Sequence, residues 1–412
     1  MCRTAFGTIS CLTLLSAGQT RMTDVAVPLR FTPALSRRLL CLTLAIATVG
    51  LQALLVAPLL TDMARDLGVG PAAIGRANGL YGVGVAVAAL LTAPRLDAWP
   101  RRRVLSLALL ALGLALAGCA LAPDAMMLAA AMAACGLAAG VVLPTTYALA
   151  GDLAPQELRS RAVGRVIVGW SLAMVAGVPA AALLAEQLGW RGAYAVVAGI
   201  AGVAGLAVLT LPPAARPAGA GLVPYRIALA QPGVLRLLAM TLAYMMAFYG
   251  CYTFLTDHLR ASEDLGPTLG GWISLSYGLG FGLAVVGNGL IDRRGPWRVA
   301  APTFLLLAGL MLLLALAASE SPWLVVALAL PWGVVNHFGL NVLVSLLSSG
   351  EAKVRGAVLG LYSAVTYVAH FIAGAGLGLV YAGAGFNAVA VVVAVGLAVA
   401  AGMALTASRR EA

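Results

Sequence analysis

His337 and His370 are side chains whose charge can change near neutral pH. Asp62 and Asp257 are carboxylates standing at the rims of long apolar runs. Groups of this kind can take up a proton on one side of an apolar barrier and release it on the other. A second set of residues is uncharged and suits a molecule that is neutral or amphipathic. Gln52, Asn78 and Tyr81 fall early in the chain, and Thr145 and Thr146 follow Pro144. Tyr244, Phe248 and Tyr252 recur every four residues, which puts them on one helix face, with Tyr249 beside them. Trp332 and Asn336 share a face, His337 and Asn341 share the next, and Tyr362, Thr366 and His370 stand in line. Packing between helices is the competing reading for each aromatic taken alone. A structural histidine, hydrogen-bonded to a neighbour, is the competing reading for His337.

A third set could act as a latch. Asp97 and Asp292 each lie where an apolar run ends, followed by Arg101 in one case and by Arg293 and Gly295 in the other. A carboxylate there can accept from the unpaired N–H groups of a neighbouring helix start and lose that bond when the helices part. The matching helix starts carry Arg161 and Arg355. Arg102 is read as a topology signal alone. Gly177 and Pro179 lie within one run, where proline frees a carbonyl and glycine admits a close neighbour.

What must position these residues is a set of membrane-spanning helices. Of the 412 residues, 62% are hydrophobic and 10% charged, with a mean hydropathy of +0.98. A soluble domain averages about 45–50% apolar. Twelve apolar segments follow one another at 39–61, 72–92, 104–122, 126–148, 162–184, 192–211, 234–256, 269–291, 299–318, 322–347, 356–380 and 386–406. Each has about the 17–25 residues that cross a bilayer as a helix. No Asp, Glu, Lys or Arg lies at the middle of any segment. The net charge of +11 sits in short loops rather than on one basic face, which argues against nucleic acid.

The chain is one six-segment unit written twice. Asp97 and Asp292 are 195 residues apart. The same shift carries Leu60-Thr61-Asp62 onto Leu255-Thr256-Asp257, and Arg65 onto Arg260. The expected layout is an N-terminal segment at 1–38, bundles at 39–211 and 234–406, a proline-rich linker at 212–233 and a tail at 407–412. The first 38 residues are expected to be cytoplasmic and disordered, with Met22 as an alternative start. A short surface helix is expected from Pro224 to Ala230. One side of the membrane collects 22 of the 26 basic residues, leaving Arg65, Arg76, Arg191 and Arg260 to the other. The positive-inside rule makes the arginine-rich side, with both termini, cytoplasmic. The six cysteines include no C-x-x-C pair and read as small buried hydrophobes.

The loop Asp292-Arg293-Arg294-Gly295, the degraded copy around Asp97, and Gly177-Val178-Pro179 together resemble motifs of the major facilitator superfamily, in its drug:proton antiporter and sugar-efflux branch. The resemblance covers roughly residues 39–406. It implies an all-α membrane protein with twelve helices in two pseudo-symmetric bundles. It also implies a central cavity lined by segments 1, 4, 7 and 10. An arginine usual in the first half of segment 4 is absent, since Ala129 to Gly136 contains none. The function expected is secondary export of a small molecule from the cytoplasm across the inner membrane, against protons, by a monomer with no cofactor or metal. By elimination, coupling is expected through His337, with His370, Asp62 or Asp257 assisting. The alternative is uptake or facilitated diffusion of a sugar-like or other polar metabolite. A transporter-like sensor or a membrane enzyme would need an extension or a clustered catalytic set. There is no H-E-x-x-H, G-x-S-x-G or phosphate loop.

Overall fold

A computed structural model describes residues 31–96, 99–213, 224–263, 265–351 and 353–411. The expectations for residues 1–30, for Asp97 and for the linker at 214–223 lie outside it. Among the described residues every regular element is helical.

Segment 1 starts at Pro33, whose missing N–H costs nothing in a first turn, and Thr32 accepts from the Leu35 N–H at 3.2 Å. The helix Pro33–Leu54 resumes as Val56–Asp66. Segment 7 likewise runs as Val234–Glu263, beyond its expected end at 256. These extensions carry Asp62, Asp257 and Arg260 on regular helix rather than in loops. Segment 4, Ala125–Leu153, is capped by Asp124, which accepts from the Met127 N–H at 2.8 Å. The linker helix appears as Tyr225–Leu229, with the Tyr225 ring against Gly360 of segment 11.

Length and hydropathy alone mark ten membrane-crossing stretches. Two of them, Gln156–Val208 and Arg355–Ser408, have 53 and 54 residues. At about 1.5 Å per residue each would reach about 80 Å, far more than a 30 Å hydrocarbon core. Each is broken once, at Gly189 (φ +70°) and at Gly385 (φ +74°). That backbone region admits glycine and disfavours side chains. The two stretches are therefore four segments, and the total among the described residues is the expected twelve.

Segments 5 and 11 also share a π-helical turn, at Ala173–Gly177 and Ala373–Leu377. Pro179 deprives the Val175 carbonyl of its helical donor, which accounts for the first. The second has no proline and falls in the glycine run Gly374-Ala375-Gly376. Segment 8 departs from expectation: Thr268–Leu283 gives way to a 3-10 turn at Ala284–Gly287 before Gly289–Arg294. Its glycines weaken the helix there.

The halves meet along two seams, segment 2 on segment 11 and segment 5 on segment 8. Glycines let the backbones touch. A Cβ on Gly374 would collide with the Gly75 carbonyl, and one on Gly79 would lie 3.1 Å from the Phe371 carbonyl. Within each half the same device recurs. Gly136 packs on the Tyr81 carbonyl and Gly333 on the Tyr277 carbonyl. Leu114, Met126 and Val286 are among the large apolar side chains left on the outer surface, where lipid is the solvent.

Candidate functional site

Aromatic rings run from one half into the other through the middle of the membrane. Tyr81 on segment 2 tilts against His370 on segment 11, with centroids 5.7 Å apart. His370 stacks on Tyr249 of segment 7 at 4.1 Å, and Tyr249 meets Phe248 at 5.1 Å. Phe248 touches Tyr252 (5.6 Å), Tyr277 (5.5 Å) and Trp332 (6.2 Å). Gln52 of segment 1 donates from Nε2 to the buried Met132 sulfur of segment 4 at 3.5 Å.

Several polar atoms in this region are buried without a partner: Gln52 Oε1, Asn78 Oδ1, the Tyr81 hydroxyl, Thr145 Oγ1, Trp332 Nε1 and both ring nitrogens of His370. Orphaned buried polar groups cost about 1–3 kcal/mol each and call for a reason. Other residues assigned to the lining are spent on the fold. Thr146 donates to the Val142 carbonyl at 2.6 Å. The Tyr244 hydroxyl donates to the Asn336 carbonyl at 2.6 Å, and Asn336 Nδ2 reaches the Tyr277 hydroxyl at 2.6 Å. Gln52, Tyr81 and Trp332 are 0% exposed, so this conformation closes the region. Tyr362 and Asn341 are half-buried.

His337 sits elsewhere than expected. Its Nε2 lies 2.9 Å from Asn288 Oδ1 and 2.9 Å from Asn341 Nδ2, and its ring packs edge-on against Phe281 at 4.9 Å. Asn341 beside the ring was foreseen; Asn288 was not. These partners all belong to segments 8 and 10 of one half, so the ring occupies a seam rather than the junction of the two halves.

The two copies of the Leu-Thr-Asp pattern meet at the arginine-poor end. Arg260 Nη1 and Nη2 donate to the two oxygens of Asp62 at 2.9 Å each. Nη1 also donates to the Pro58 carbonyl and Nε to the Leu265 carbonyl, both at 2.8 Å. In return Thr61 donates to Asp257 Oδ1 at 2.8 Å, and the Tyr381 hydroxyl donates to Oδ2 at 2.7 Å. Asp257, which the sequence places at the rim of its apolar run, is 2% exposed. Nearby, Glu186 accepts from the Thr268 N–H at 3.1 Å, and Ser274 donates to the Met174 carbonyl inside the π turn at 3.0 Å. All of these bonds except Arg260–Leu265 and Tyr381–Asp257 join the first half to the second. A cleft of about 590 Å³ lies over them, lined by Thr61, Asp62, Arg65, Glu186, Trp190 and Arg260.

At the arginine-rich end Asp292, Arg293 and Arg294 are exposed. Asp292 makes no hydrogen bond to a helix start in this conformation, among the described residues. Arg101 pairs with Asp152 of segment 4. Arg102, read as a topology signal, also donates to the Leu211 carbonyl at 2.7 Å and so ties segment 3 to the end of segment 6. Arg161 lies over the Phe31 ring at 5.8 Å, and Arg355 donates to the Gly350 carbonyl at 3.4 Å. Sequence reasoning missed Tyr277, Tyr381 and Asn288. Shifting Tyr81 by 195 lands one residue from Tyr277, so the repeat carried a signal for that one.

The fold and these sites have relatives. The family model described as Major Facilitator Superfamily matches residues 40–374. The chain is 29% identical over 370 residues to an uncharacterized MFS-type transporter, YwfA, of Bacillus subtilis, covering 86% of this chain and 88% of that one. It is 31% identical over 277 residues to a chloramphenicol resistance protein of Streptomyces lividans, covering 65% and 70%. It is 27% identical to the inner membrane transport protein YdhP of Escherichia coli, covering 88% and 93%. A solved structure of a bacterial homolog of the lysosomal transporter Spinster shares the fold at a TM-score of 0.72 and 15% identity, over 92% of this chain and 98% of that one. With twelve helices in two matching halves, and with that family model spanning most of its length, the chain belongs to the major facilitator superfamily and is a multi-pass membrane transporter rather than an enzyme.

Proposed function

We propose that this transporter exports a small neutral or amphipathic molecule by alternating access, in exchange for protons. The observation that carries the reading is the aromatic run between the halves with its orphaned, uncharged donors and acceptors. A ligand with an apolar body and a few polar atoms would satisfy groups that the protein leaves unpaired. The chloramphenicol resistance relative points the same way, since chloramphenicol has that character. The arginine distribution supports a cytoplasmic arginine-rich side, hence both termini inside an inner membrane.

The test is accumulation of labelled chloramphenicol in cells with and without the protein, with and without a proton uncoupler. Export predicts lower accumulation with the protein and loss of that difference with the uncoupler. Equal accumulation across chloramphenicol and a panel of neutral and amphipathic drugs would sink export. Uptake or facilitated diffusion is favoured by one observation: the aromatic run holds no charged residue, so nothing within it obliges coupling. A protein-dependent rise in accumulation that ignores the uncoupler would select that reading.

A further inference from the structure

Within the aromatic run, polar groups of the second half answer one another, as Tyr244, Asn336 and Tyr277 do. His370 is answered by nothing. Its ring is 1% exposed, yet neither Nδ1 nor Nε2 has a hydrogen-bond partner. The ring is also held in place. It stacks on Tyr249 with 18° between the planes and tilts against Tyr81. Behind it the backbones of segments 2 and 11 touch: a Cβ on Gly82 would lie 2.5 Å from the Tyr367 carbonyl oxygen and 3.1 Å from the His370 Cβ. Two more orphaned atoms stand one turn apart on segment 2, the Tyr81 hydroxyl and Asn78 Oδ1. This cluster lies on segments 2 and 11, outside the four segments that the family resemblance implies for the cavity.

The cluster's chemistry is specific. In its neutral form an imidazole offers one donor and one acceptor, a phenol hydroxyl offers both, and an amide oxygen accepts. Ether and ester oxygens on a ligand would leave the accepting atoms empty, and an unmet buried acceptor costs affinity. A hydroxyl both donates and accepts, so it can answer either kind. A charged group would find no carboxylate among the ring contacts of His370 and would be stranded.

We propose that His370, with Tyr81 and Asn78 beside it, selects the substrate: a neutral molecule with an apolar body and free hydroxyl groups. The inference rests on the reading of this region as the binding site and narrows the class of molecule it takes.

The test is competition for labelled chloramphenicol on the purified protein, by chloramphenicol itself and by its diacetate, in which both hydroxyls are esterified. The parent should favour the free alcohol by about tenfold or more. His370→Phe keeps a flat ring against Tyr249 and should bind the two compounds within about threefold of each other, at the parent's affinity for the diacetate. His370→Gln returns a donor and an acceptor and should restore part of the preference. Tyr81→Phe should narrow it, a readout that stands even where His370→Phe does not fold. Parental preference in either phenylalanine variant would assign the discrimination to bulk and overturn the proposal. So would an equal loss of affinity for both compounds in His370→Phe, which marks a packing role, and so would a folded parent that binds neither. The preference in a protein that exports nothing would sink the export reading and leave the selection standing. Equal export of both compounds would do the reverse.

Discussion

Asp62 and Asp257 hold equivalent positions in the two halves, 195 residues apart, yet one meets an arginine and the other meets two hydroxyls. The difference extends to the arginines. Arg260 is 5% exposed with its donors filled, whereas Arg65 stands in the open cleft. Duplication delivered the same three-residue spacing of aspartate and arginine twice, and the fold used the copies differently. A two-pronged ion pair between a buried guanidinium and a half-buried carboxylate is a charge-assisted tie, and removing Asp62 would strand the buried charge of Arg260. A carboxylate held by two hydroxyls is tied by hydrogen bonds alone, with no salt bridge to a cation among the described residues. The comparison teaches that pseudo-symmetry in a transporter is most informative where it fails.

The sharpest way to break this comparison is to remove the arginine from each copy. Arg260→Ala removes a two-pronged, charge-assisted contact from the half-buried Asp62 and should cost about 1.5–3 kcal/mol. Arg65→Ala should stay within about 0.5 kcal/mol. Thermal unfolding in detergent compares them, and equal losses would dissolve the asymmetry. Next come the two helix breaks. Gly189→Ala and Gly385→Ala force a side chain to positive φ and should each cost about 1–2 kcal/mol, while Gly199→Ala, with open space and ordinary φ, should not destabilise. A smaller effect is expected at the exposed ion pair Asp66–Arg191, 2.8 Å apart, where Asp66→Asn should change stability by about 0–1 kcal/mol.

Two substitutions sharpen the functional side without touching stability. Asp292→Asn should leave insertion and unfolding unchanged and slow initial transport rates, because the carboxylate is exposed here and would engage a helix start only when the arginine-rich ends close. Unchanged rates would reduce that loop to a topology signal. His337→Gln should preserve the pH dependence of uphill transport, since the ring sits between Asn288 and Asn341 inside one half. Loss of that dependence would return coupling to His337, where sequence reasoning first placed it.

Much of the fold was legible because lipid imposes a simple rule: a run of about 20 apolar residues must be a helix with its backbone satisfied internally. The repeat added pairing between halves, so Thr61, Asp62, Asp257 and Arg260 stood out before any coordinates. The site was less legible. Tyr244 and Thr146 look like lining in the sequence, yet their hydroxyls are used by Asn336 and Val142 carbonyls. Helical spacing tells which residues share a face and does not tell which neighbour that face meets. Tyr381 gave no signal at all, since it reaches Asp257 from 124 residues away.

Composition, segment lengths and the 195-residue repeat by themselves determined the class of molecule, the number of spans and the charge asymmetry between its two ends. These follow from local properties, summed along the chain against one solvent. Tertiary structure alone decided which aspartate received the arginine, that Asp257 is buried between two hydroxyls, and that His337 lies in a seam within one half. It also decided where the π turns fall and that Ser274 donates to the Met174 carbonyl inside one of them. Those outcomes depend on which helices touch and at what height, and a pattern of residue types carries neither distance nor neighbour.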